Sequence, residues 1–142
     1  MIKLEKKALS LVFEKEGKAL SVRRSPNEKL FPNFWSLPST YVRENETAVQ
    51  AAKRLAVGKL GLKEISLKNL PMGVSTIDRG DFILSMSDYI VSLYEGEINL
   101  NPLDYTEMRW VTAVELKQLL DKEHQGMMGE CCRVFLKAKK II

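Results

Sequence analysis

The chain has 142 residues, 45% hydrophobic and 28% charged, which is enough to bury one core and leaves no need for a second domain, so residues 1–142 are expected to form a single unit. A net charge of +4 and a pI near 9.1 suit a phosphate-bearing ligand. The basic residues are scattered apart from the terminal run Leu136–Lys140, so nucleic-acid binding is not expected.

The N-terminal stretch MIKLEKKALSLVF has a charge pattern reminiscent of a signal segment, but its apolar run is short and alternates. It predicts a first core strand over Ala8–Phe13, with no export and no membrane span. The turn residues KEGK follow, and Ala19–Arg23 is the expected antiparallel partner in a hairpin. Two prolines keep the next segment, SPNEKLFPNF, irregular. Trp35 is expected to pack in the core.

From Thr47 to Leu60, alanines and Leu55 recur at helical spacing, and Thr47 with Gln50 makes a capping box that starts the helix. Small alanines let this helix lie close to a sheet. Ile65–Ile77 and Phe82–Tyr94 predict two strands around the turn DRGD, long enough to imply bends or bulges. Thr112 with Glu115 caps a second helix, VELKQLL, and Gly126 separates off a last helix over Met127–Lys140. His124, in the polar run DKEHQG, is expected to be an exposed helix-end residue. Cys131 and Cys132 are neighbours that do not share a helix face, and with one histidine in the chain there is no zinc spacing; they read as free thiols in a reducing, cytoplasmic compartment.

The stretch WSLPSTYVRENETAVQAAKRLAVGKLGL, from Trp35 to Leu62, resembles the signature of the Nudix hydrolases, which cleave a nucleoside diphosphate linked to another group. Glu46 falls on the first Glu of that signature, Arg54 on its Arg, Ala56 on its aliphatic position, and Gly61 and Leu62 on its closing pair. The leading Gly falls on Thr40, and the other three Glu positions fall on Leu55, Gly58 and Lys59. Arg24, Trp35, Leu37 and Pro38 match the family's lead-in, and Glu107, Trp110 and Val111 match a late acid and Trp strand. The resemblance implies the Nudix fold, an α/β/α sandwich with a mixed β-sheet and a strand, loop and helix motif.

In the family the three carboxylates converge on one helix face and hold Mg²⁺ or Mn²⁺. Here that face offers Leu55, Gly58 and Lys59, so no metal ligand and no cofactor is expected. Drift after loss of selection would explain this; alternatively Lys59, with Arg54 nearby, supplies to phosphate oxygens the charge that a metal once supplied. The resemblance places Arg24 near those phosphates, making Arg24, Arg54 and Lys59 the candidate ligand residues. It also implies that Glu46 and Arg54 tie the loop to the helix. Glu107 and Glu46 are the surviving candidates for an acid–base role. Ser39 and Thr40 stand where the family has two glycines, so this loop is expected to take a different path.

KLFPNFWS and AAKRLAVGKLGL also look like isopentenyl diphosphate isomerases, but the cysteine and histidines of those enzymes are missing, so isomerase activity is not expected. Three functions stay open. The leading one is a small-molecule binder of a nucleotide or other diphosphate that hydrolyses it little or not at all. The second is a Mg²⁺- or Mn²⁺-dependent diphosphate hydrolase using displaced acids drawn from Glu44, Glu46, Asp88, Glu97 and Glu107. The third is a protein-interaction domain reusing the fold.

Overall fold

The computed structural model describes residues 2–142. Nine strands and three helices follow in the order β1 (Leu4–Val12), β2 (Glu14–Lys15), β3 (Lys18–Arg24), β4 (Trp35–Ser36), β5 (Ser39–Tyr41), α1 (Ala48–Leu60), β6 (Glu64–Leu67), β7 (Gly73–Asp78), β8 (Phe82–Glu95), β9 (Tyr105–Val111), α2 (Ala113–His124) and α3 (Glu130–Ala138) among the described residues. One sheet runs β5, β1, β8, β6, with β7 beside β6 on the same edge of β8; the other joins β2, β3 and β4, with β9 on β3. Only the first sheet is mixed, by a parallel pairing of β1 with β8 from Leu4 opposite Phe82 to Val12 opposite Ile90; every other pairing is antiparallel, so the second sheet is antiparallel throughout.

Several sequence expectations need correction. Ala8–Phe13 and Ala19–Arg23 do not form a long hairpin. After Val12 the chain leaves the first sheet, and only Glu14–Lys15 returns on Lys18–Ala19 through a two-residue turn with Glu16 and Gly17 both at positive φ. The long partner of β3 is β9 instead. Ile65–Ile77 is two strands, interrupted around Pro71, which lacks the N–H a ladder needs. The bulge expected in this region lies between Ser66 and Leu67. The last helix starts at Glu130, after a left-handed turn at Gln125 and Gly126 and an extended Gly129 cap.

The two capping boxes form as the sequence requires: Thr47 accepts from Gln50 N and Thr112 from Glu115 N, with both reciprocal bonds made. The first helix ends at Gly61, left-handed at φ 67°, where an added Cβ would come within 2.8 Å of the Asn99 carbonyl oxygen. Ala51, Ala52, Leu55, Ala56 and Leu60 put one stripe of this helix into a core with Leu9, Leu11, Leu20 and Val22. A second core, around Val12, Trp35, Leu37, Leu116 and Phe135, lies under α2 and α3. Strand β1 contributes to both cores, so it is buried from two sides and the helices cover it as a sandwich.

Candidate functional site

Position on α1 decides what its polar residues can do. Arg54, in its middle, donates from Nε to Glu46 Oε2 (2.9 Å), from Nη2 to Glu46 Oε1 (2.9 Å) and the Tyr41 carbonyl (2.7 Å), and from Nη1 to Thr40 Oγ1 (3.2 Å). Hydrogen bonds first from Arg54 and then from the Arg43 amide hold the Glu46 carboxyl down at about 2. This knot fixes the segment between β5 and α1. Ser39 and Thr40 are not a loop but the start of β5, in register with Ser10 and Leu9 of β1. The β-branched Thr40 fits such an extended strand, which the family's paired glycines are not needed to build.

One and a half turns further along α1, Lys59 reaches a different environment. Its Nζ donates to the Ser39 carbonyl at 3.1 Å and lies 5.8 Å from the centre of the Tyr105 ring. Tyr105 is buried and its hydroxyl accepts from Ser39 N at 3.1 Å; burial pushes its phenol well up, so it stays protonated. Burial also pulls the Lys59 ammonium pKa down, against the opposing fields of Asp104 and Glu28. Asn101 ties the approach to β9 onto the same helix end, donating from its backbone N to the Lys59 carbonyl (2.9 Å) and from Nδ2 to the Gly58 carbonyl (3.2 Å).

Lys59 opens into a cavity of about 520 Å³ between β5, the β3–β4 loop and the start of α3. Arg24, Lys29, Lys59 and Arg79 bring cationic side chains to its wall, against the acids Glu28 and Glu130, so the wall has a positive balance. Arg24 is held in place by bonds to the Leu30 carbonyl (3.1 Å) and Glu28 (3.3 Å). The apolar part of the wall includes Phe31, Phe34 and Trp35. Trp35 is 1% exposed, with Arg109 over its ring at 4.8 Å, consistent with a core role.

Of the sequence candidates, the cavity gathers Arg24 and Lys59 but not Arg54, whose fork is taken up by the Glu46 knot. Glu107 sits across from Arg23 in the β3–β9 ladder, at 3.5 Å from its Nη1, and does not line the cavity. Glu44 and Glu97 are exposed, and Asp88 is fully buried with its carboxyl pushed up to about 9, first by burial. The three substituted acid positions share a side of α1 but not an environment, because the cover over that side changes along the helix. Leu55 lies within the core, Gly58 faces solvent, and only Lys59 reaches the cavity. The family resemblance implies a divalent metal, and the donors present do not fit one: among the described residues no three of His, Cys, Asp or Glu are grouped to hold a metal.

Some residues of the wall escaped sequence reasoning. Lys29 and Arg79 lie in loops far apart in the chain, and nothing in their local pattern marks them. Cys131 lines the cavity with its sulfur 3.2 Å from Ser36 Oγ, while a hydrogen bond from Cys132 holds its thiol below the ordinary range. Both cysteines are free and buried. His124 is not an exposed cap: its Nε2 accepts from the Trp35 amide at 3.0 Å, and its ring stacks on Phe34 at 3.9 Å with planes 6° apart.

The NUDIX domain model matches residues 3–130, and the chain belongs to this family. A search of curated proteins finds no match to the chain. Among solved structures it is similar to the E. coli ORF135 protein, with a TM-score of 0.75 at 15% identity over 98% of this chain and 94% of that one. A MutT protein from Methanosarcina mazei Go1 superposes with a TM-score of 0.74 at 15% identity, covering 99% of this chain and 94% of that one. The NUDIX domain of Shewanella oneidensis NrtR, solved as a complex with ADP ribose, gives 0.66 at 13% identity over 99% and 88%. At these identities the likeness shows the fold. No helix among the described residues is long and apolar enough to cross a membrane.

Proposed function

We propose that residues 1–142 form one cytoplasmic Nudix domain whose cavity binds a nucleotide or other nucleoside diphosphate-type ligand, and that its motif is degenerate as a metal site, with little or no hydrolysis. The observation that carries this reading is Lys59, a cation at the cavity wall where the family signature has an acid, with Arg24 in the same wall. An ammonium and a guanidinium there can contact phosphate oxygens directly by charge-assisted hydrogen bonds, which makes a bridging metal unnecessary for binding. Glu46 then serves the fold through Arg54 and not the chemistry. ADP-ribose is a reasonable first probe, because a Nudix relative of like fold was solved in complex with it.

Calorimetry with ADP-ribose, with and without Mg²⁺, is expected to give an affinity indifferent to the metal. Lys59→Ala should weaken it by about ten- to a hundred-fold, the worth of one charge-assisted contact. Lys59→Glu should weaken it further by reversing the local field. Equal affinities in the three proteins would overturn the role given to Lys59. A turnover of about one per second on ADP-ribose or a nucleoside triphosphate with Mg²⁺ or Mn²⁺ would instead support the metal-dependent hydrolase.

A further inference from the structure

One wall of the cavity that Lys59 lines depends on a residue that does not line it. The segment Phe31–Trp35 contributes three aromatic rings to that wall, and Phe31 packs on Phe34 at 4.9 Å. The outer face of Phe34 is covered by the imidazole of His124, stacked at 3.9 Å. The same imidazole accepts the Trp35 amide proton at 3.0 Å. Strand β4 is two residues long and pairs only with β3, so this bond supplies an anchor that the short ladder does not. Helix α2 thereby fixes where Phe34 and Trp35 stand.

We propose that His124 is a positioning residue for the ligand cavity, acting through its neutral imidazole, and that protonation of Nε2 releases the Phe34–Trp35 wall and weakens ligand binding in acid. The proposal rests on the reading of the cavity as a ligand site.

The chemistry is specific. A backbone N–H can only donate, so Nε2 must carry its lone pair toward Trp35 and the ring proton must sit on Nδ1. Adding a proton to Nε2 sets two donors against each other at 3.0 Å, and the bond is lost. Two groups favour the charged ring: Glu123 beside it, and the carboxyl end of α2, where a cation suits the helix dipole. Burial opposes it more strongly, and Arg23 of β3 opposes it as well. Arg23 is itself held by the Asn33 carbonyl at 3.0 Å and by Glu107, so its charge cannot swing away freely. The net result is a His124 pKa below the ordinary 6.5, which keeps the ring neutral at pH 7. For a base depressed in the folded state, the stabilisation is complete above the unfolded value of 6.5 and is lost as the pH falls through the folded value. Acid, not alkali, is therefore the side on which the wall loosens.

The test follows the Trp35 amide directly by ¹⁵N-resolved NMR between pH 5 and 8, together with ADP-ribose affinity by calorimetry, for the unaltered protein, His124→Phe and His124→Gln. Phenylalanine keeps the stack on Phe34 without an acceptor, and glutamine keeps an acceptor that does not titrate. In the unaltered protein the Trp35 amide shift should move with the His124 ring, at a midpoint below 6.5. It should be flat in both variants. Affinity for ADP-ribose, whose diphosphate keeps its charge over this range, should fall in the unaltered protein as the pH drops through the midpoint read from the Trp35 amide. His124→Gln should bind with no such slope, and His124→Phe weakly at every pH. A Trp35 amide that ignores the titration of His124, or an affinity slope that persists in His124→Gln, overturns the proposal. Should ADP-ribose fail to bind at any pH, the ligand assignment falls, and the Trp35 amide alone decides whether His124 holds the wall.

Discussion

Arg54 and Lys59 are both cations on one face-to-rim stretch of the same helix, yet they stand in opposite situations. Arg54 has four of its five N–H groups committed within the protein, to Glu46, Tyr41 and Thr40. Lys59 commits one of its three, to the Ser39 carbonyl, and faces a cavity with Arg24, Lys29 and Arg79. The position that keeps the signature residue therefore carries the architecture, and in the proposed function the altered one makes the ligand contact. A cation whose donors are already satisfied has little to offer a phosphate, because any new bond must first break an old one. Matching a signature residue by residue does not separate these two cases; the hydrogen-bond accounting does.

The sharpest way to break this comparison is to put the family's acid back where the helix stripe is still inside the core. Leu55 is 0% exposed, so Leu55→Glu buries a carboxylate among Leu9, Leu11 and Val22. The expected cost is at least about 3 kcal/mol, and the melting temperature should fall by about 10 °C or more with or without Mn²⁺. Unchanged melting, or recovery on adding Mn²⁺, would mean that Leu55 faces a metal site after all.

Arg54→Met tests the structural half. It keeps the aliphatic stem and removes the fork, so that the Tyr41 carbonyl loses the Arg54 donor and Glu46 keeps only the Arg43 amide. Melting is expected to drop by about 5 °C while ADP-ribose affinity moves less than about three-fold, the reverse of the pattern expected for Lys59→Ala. If Arg54→Met abolished binding and left melting unchanged, the two cations would have exchanged roles.

The smallest effect belongs to Gly58, which lies in the helix interior with open space where a Cβ would go. Gly58→Ala should add about 0.5–1 kcal/mol of stability, read as a slightly higher melting temperature, with no change in affinity. A loss of affinity would show that a ligand approaches the α1 backbone there.

What the amino-acid sequence determined by itself is local and short in range. The two capping boxes, the turn at Glu16 and Gly17, and the left-handed Gly61 that ends α1 each depend on contacts a few residues apart, and each is written in residue type. The frame from Glu46 to Leu62 likewise placed the strand, loop and helix motif, since Glu46 and Arg54 meet across eight residues. The tertiary structure decided the rest. The parallel pairing of β1 with β8 joins Leu4 to Phe82 across the chain, and after Val12 the chain passes from one sheet to the other. Whether a residue on α1 is core, knot or cavity wall depends on how far along the helix the neighbouring strands cover it, which periodicity does not reveal. His124 and Trp35 are 89 positions apart, and only the packing of α2 against the end of β4 turns a polar residue at a helix end into the acceptor of one particular amide.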